Sequence, residues 1–175
     1  VTVVTGDDFS ATAQNDYLWA TPVAVSKTNR TAALSFNHAL SRVIFSLKLG
    51  STYAGAGALT EIKLTAGGDT YKFKAGTSGT MAIANGTLAG LTSQSTLDYA
   101  GTKTLSTTAS EIVALVAPTQ LAEGTSASST ITLAITLDGQ TYSATLPVSQ
   151  VATWVAATSY TYNITISSGE LVIGT

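Results

Sequence analysis

Cysteine is missing from all 175 residues, which excludes disulfide staples, thiolate metal sites and a cysteine nucleophile. Charge is scarce as well. Asp, Glu, Lys and Arg make up 10% of the chain, against about 25% in an ordinary soluble domain. The 8 basic and 10 acidic residues are thinly spread, so no basic stripe exists to neutralise phosphates and a nucleic-acid partner is excluded. No apolar run approaches the roughly 18 residues a membrane-spanning helix needs. No segment keeps a helical period, and no P-loop or dinucleotide fingerprint is present. His38 is the only histidine, so any serine triad would have to use it as base. Asp7-Asp8 is the only adjacent acidic pair and lacks the ligand spacing of a calcium loop. No cofactor, no metal and no enzymatic activity are expected.

Threonine, serine, glycine and alanine fill the chain instead, giving a neutral, hydroxyl-rich surface typical of extracellular bacterial proteins. The length suits one domain, and no internal repeat or composition shift divides residues 1–175. The opening Val1-Thr2-Val3-Val4 is expected to be the end of a mature, processed product.

Period-two alternation recurs from end to end. Ile131, Leu133, Ile135 and Leu137 alternate with Thr and Ala, Asp138-Gly139 intervenes, and Tyr142, Ala144 and Leu146 alternate in turn. Asp-Gly suits a two-residue hairpin turn, because both positions need positive φ. That turn pairs Leu137 with Gln140, Ile135 with Tyr142, Leu133 with Ala144 and Ile131 with Leu146, so both apolar sets share a face. By the same logic Gly67-Gly68 predicts a hairpin joining Leu64 to Tyr71 and Ile62 to Phe73, with Lys63, Lys72 and Lys74 on the wet face. Asn85-Gly86 predicts a shorter one joining Ile83 to Leu88.

Leu34, Phe36, His38 and Leu40 share one parity, while Val43, Phe45, Leu47 and Leu49 share the other. One straight strand cannot bury both sets, so a bulge or bend is predicted at 39–42, with His38 packed into the core. The run 112–117, ended by Pro118, reads as a strand covered on both faces. Tyr160, Tyr162, Ile164 and Ile166 form a late strand, and Leu171, Val172 and Ile173 a last short one. Thr92–Ser110, rich in Thr, Ser and Gly, is expected to be a long surface connection. Trp19 and Trp154 lie in apolar surroundings and are expected in the core rather than on a sugar-stacking platform. The fold class is therefore all-β, a two-sheet sandwich.

"LSFNHALSRVIFSLKLG" resembles a motif of the fimbrillin-like (type V) pilins of anaerobic gut and oral bacteria, carried here by Phe36, His38, Ala39, Leu40, Ser41, Arg42 and Val43. "DYLWA" upstream, "ALVAPTQL" downstream and the closing "WVAATSYTYNITI", with Tyr160 and Tyr162, resemble further segments of the same family in the same order. The resemblance implies a Greek-key, transthyretin-like or Ig-like sandwich with an open groove filled by a partner strand. It also implies export through the outer membrane as a lipoprotein precursor, and polymerisation by donor-strand exchange at the cell surface. Expected partners are copies of the same chain in a filament and a host or bacterial surface receptor. The expected donor is Leu171, Val172 and Ile173 within a terminal segment 168–175. Val1, Val3 and Val4 within 1–5 are the competing choice.

Overall fold

The computed structural model describes residues 1–5, 14–67, 72–76, 78–118, 130–147, 153–168 and 170–174, and these form fifteen strands and no helix. One four-stranded sheet runs β10 (Thr96–Thr104), β5 (Ala58–Ala66), β12 (Thr130–Leu137), β13 (Gln140–Pro147). The other runs β11 (Ser110–Val116), β4 (Ser41–Leu49), β14 (Ser159–Ser167), β15 (Glu170–Gly174). Inward-facing residues of both sheets, among them Phe45, Leu47, Ile62, Leu64, Leu133, Ile135, Tyr162 and Ile164, form one continuous core. The chain is thus an all-β sandwich.

The β12–β13 hairpin has the register its alternation demands, from Leu137 opposite Gln140 to Ile131 opposite Leu146. Asp138 (φ 51°) and Gly139 (φ 77°) make the turn. Asp138 does a second job: its carboxylate accepts from the Tyr53 hydroxyl (2.7 Å) and the Gly57 and Ala58 amides (2.8 Å each). The hairpin tip is thereby tied to the entry of β5. These donors, Tyr53 first, hold the Asp138 carboxyl below its usual range, while burial and then the Asp138 hydrogen bond push the Tyr53 phenol up.

The predicted change of phase is present. The chain bends at Ala39 and Leu40 between β3 (Asn37–His38) and β4, after which Val43, Phe45 and Leu47 point inward. β4 then pairs in parallel with β14, setting Tyr162 beside Phe45 and Ile164 beside Leu47. The Phe45 and Tyr162 rings stack 6.2 Å apart. Trp154, 1% exposed, stacks on Phe73 at 5.9 Å and donates its indole N–H to the Tyr162 hydroxyl.

A smaller cluster sits apart, built from Val3, Ala39 and Met81 with Tyr17, Trp19, Leu88 and Leu91 against them. Its strands are short: β1 (Thr2–Val3), β7 (Gly79–Met81) and β8 (Leu88–Ala89) form one sheet, β2 (Leu18–Trp19) and β3 another.

Several sequence expectations need correction. Thr92–Ser110 is not a surface connection: it supplies β9 (Thr92–Gln94), the nine-residue β10 and the start of β11, with Leu97 and Tyr99 buried. An edge strand with one wet face needs few apolar residues, so Thr and Gly disguised it. The predicted pairing of Ile62 with Phe73 does not form. β5 lies between β10 and β12, and β6 (Phe73–Ala75) pairs with β9. Alternation selects the face a residue takes, and many partners satisfy the same face. Tyr71 and Gly68 lie outside the described residues. The Asn85-Gly86 turn is present, with Gly86 at φ 71°, but Met81 rather than Ile83 faces Leu88. The loop closes through Ala82 N–H to Thr87 O (2.9 Å), which leaves Ile83 on the outside. β11 is an edge strand with only Ile112, Ala114 and Val116 fully buried, not one covered on both faces. Asp7-Asp8 lies outside the described residues.

Candidate assembly interface

Among the described residues β15 is the outermost strand of its sheet, and β14 is its only ladder partner. Ile173 faces Ile164 and Leu171 faces Ile166, so two aliphatic side chains lean half-buried on the sandwich core. Val172 points the other way and is 50% exposed. The turn before β15 is pinned by the Ser168 hydroxyl on Thr52 O (2.6 Å). The far edge of β15 has no ladder partner among the described residues, which leaves backbone N–H and C=O groups available to another strand.

The competing N-terminal segment is held differently. β1 pairs with β7, and Val3 is fully buried in the small cluster. The terminal ammonium donates to Met81 O (3.1 Å), and the Val4 amide donates to the Tyr17 hydroxyl (2.8 Å). Val1 is exposed and Val4 half-buried.

The motif residues divide between the two cores. Ala39 (2% exposed) belongs to the small cluster and donates its amide to Tyr17 O (2.8 Å). Leu40 is buried beside it, and its carbonyl accepts from Ala157 N (3.0 Å). Tyr162 is buried in the sandwich, while half-buried Tyr160 accepts the Val155 amide at its hydroxyl (3.0 Å). Phe36 and His38 correct the sequence expectation. Phe36 is 63% exposed, and the His38 ring stands outside the core with Nδ1 2.7 Å from Asp16 Oδ2. The bend at Ala39 is the reason: residues before it pair with β2 beside the sandwich instead of entering it. Of the tryptophans, Trp154 is a core residue and Trp19 only half-buried.

Sequence reasoning missed Gln14, whose side-chain amide takes the place of a strand on the outer edge of β11. It donates to Val113 O (2.6 Å) and accepts from Leu115 N (2.5 Å). No periodicity announces such a residue. It also missed the clamp by Asp138, which was legible only as a turn. Among the described residues no helix is long and apolar enough to cross a membrane.

The described residues thus form an all-β sandwich with a second, smaller core. The fimbrillin-like family model matches residues 2–175, and the chain belongs to that family. Its fold is similar to the crystal structure of a candidate cell adhesion protein from Bacteroides uniformis, with a TM-score of 0.66 and 22% identity over 98% of this chain and 62% of that one. A second candidate cell adhesion protein, from Bacteroides ovatus, gives a TM-score of 0.52 at 18% identity over 81% of this chain and 45% of that one. The chain therefore spans less than two thirds of the length of either protein, and the likeness to them is one of fold. No curated protein matches it.

Proposed function

We propose that this chain is a structural, non-catalytic subunit of a cell-surface fimbria serving adhesion, folded as one domain over 1–175. In this reading it polymerises head-to-tail by donor-strand exchange. It reaches the surface as an exported lipoprotein precursor, and its partners are copies of itself and a host or bacterial surface receptor. Membership of the fimbrillin-like family supports the fimbrial part. The observation that carries the exchange is β15, a five-residue strand whose backbone ladder, among the described residues, runs along β14 alone. Leu171, Val172 and Ile173 on a neighbour's β14 would restore the same ladder and the same core contacts, so exchange conserves the contacts and changes only which chain supplies them. Covering the two core-facing side chains, Leu171 and Ile173, to the same half-buried extent contributes roughly 2–3 kcal/mol before the cost of association is subtracted. Val1, Val3 and Val4 are the weaker donor, because Val3 is already fully buried in its own chain.

A second reading also has an observation behind it. β15 is seated on its own β14, so the sandwich is complete without a partner, as a monomeric tip adhesin or surface binding module would be.

The deciding experiment is an SDS gel of protein sheared from cells, with and without boiling. A ladder that collapses to one band near 17.8 kDa on boiling supports exchange. Deleting residues 170–175 should then remove the ladder and leave a folded monomer. A single band in both lanes favours the monomeric module, and a ladder surviving the deletion moves the donor to the N-terminus.

A further inference from the structure

The motif residue that left the core lines a surface cavity of about 190 Å³ whose wall is part polar and part apolar. Asp16, His38 and Arg42 line it, together with the turn Ala157, Thr158 and Ser159. Its walls are preorganised. His38 Nδ1 is held on Asp16 Oδ2 at 2.7 Å, which fixes the ring and, in neutral imidazole, leaves Nε2 as an acceptor. The turn is stitched to the start of β4 at 3.0 Å by Ala157 N–H on Leu40 O, and again by Arg42 N–H on Thr158 O. Ala157 sits at φ 59°, a left-handed conformation unusual for a residue with a Cβ, in the turn that leads into β14. Arg42 makes no ion pair among the described residues, although its backbone is locked in β4. Leu40 and Leu115 supply an apolar wall.

We infer that this cavity binds the terminal residue of an acidic glycan, a sugar that carries a carboxylate. Ordinary small-molecule sites occupy about 300–1,000 Å³, so a space this size admits an end group and not an extended ligand. Arg42 offers the planar donor fork that matches a carboxylate. The Asp16 carboxylate offers an acceptor, which a bare anion cannot use and sugar hydroxyls can. The Thr158 hydroxyl, which donates to Ala156 O (3.3 Å), can still accept, the Ser159 hydroxyl can donate or accept, and the leucines suit the C–H face of a ring. The inference does not depend on polymerisation: the cavity lies at the β3–β4 bend, while β15 hydrogen-bonds only along β14.

The test is a ¹⁵N NMR titration of the full chain with methyl glucuronide, methyl glucoside and acetate. Saturable shifts are expected from the glucuronide at the amides of residues 38–42 and 157–159. The glucoside and acetate should bind at least about tenfold more weakly, the loss expected when a charge-assisted pair or the hydroxyl contacts are missing. Arg42→Gln should weaken glucuronide binding by a similar factor while its spectrum stays dispersed. Arg42→Lys, which keeps the charge without the fork, should fall between. Absence of saturable shifts, equal binding of glucoside or acetate, or an unchanged Arg42→Gln titration would each overturn the assignment.

Discussion

Between the two four-stranded sheets, long strands bury alternate residues such as Phe45, Leu133 and Ile135. The N-terminal cluster rests instead on Val3, Ala39 and Met81, drawn from a bend and from strands of two or three residues. Both regions exclude water from aliphatic side chains, yet they differ in how many neighbours share each loss. A side chain in the sandwich is gripped by two sheets at once. One in the small cluster depends on a few ladder bonds and on single contacts, such as Tyr17 with Val4. Regions built that way open locally before the whole fold does.

The strongest break in the comparison should come from Trp154→Ala. Truncating this buried indole removes the Phe73 stack and the indole N–H bond to the Tyr162 hydroxyl and leaves a cavity, so urea denaturation should report a loss of about 3–5 kcal/mol. Met81→Ala is expected to cost about 2 kcal/mol at its own site, the low end for a buried methionine, because the cluster is small enough to collapse. Its signature is regional. Amide exchange should accelerate through 79–89 while β12 keeps its protection, and acceleration in both regions alike would show that the two cores form a single cooperative unit.

Two glycines repeat the contrast at the scale of one atom. Gly57 (φ +78°) would place a Cβ 2.6 Å from Leu105 O, whereas Gly139 (φ +77°) would place one in open space. Gly139→Ala should therefore cost about 1 kcal/mol from the left-handed backbone alone, and Gly57→Ala about 2–3 kcal/mol, by thermal unfolding. Equal losses would mean that the β5 entry yields freely.

The smallest effect is the pH dependence of the Asp138 clamp. Its folded-state pKa lies below the unfolded value, so its stabilisation is present above the ordinary carboxylate pKa and is lost as pH falls through the folded value. Tyr53, whose pKa is raised, contributes below the ordinary phenol pKa, and that contribution is lost as pH rises beyond it. Asp138→Asn should flatten the acid limb of a stability–pH profile, and the difference from the natural chain should vanish at low pH.

Legibility follows the same division. The β12–β13 register, the bend after His38 and the β14 strand could all be read from local alternation plus a turn signal. The exposure of Phe36 and His38 could not, since alternation says that residues share a face and is silent on what that face meets. Gln14 was invisible because a side chain that imitates a strand leaves no periodic trace. The cavity at Arg42 is assembled from segments far apart in sequence, 16–42 and 115–159.

By itself the sequence determined an all-β chain without disulfides, the positions of β4, β12, β13 and β14 and the turn at Asp138-Gly139, because each depends on neighbours within a few residues. Only the tertiary structure decided that β5 pairs with β10 and β12, that β4 takes β14 in parallel, and that His38 meets Asp16 instead of the core. Those outcomes turn on which of several equally apolar surfaces pack together, a choice made by the shape of the whole sandwich and by no single segment of it.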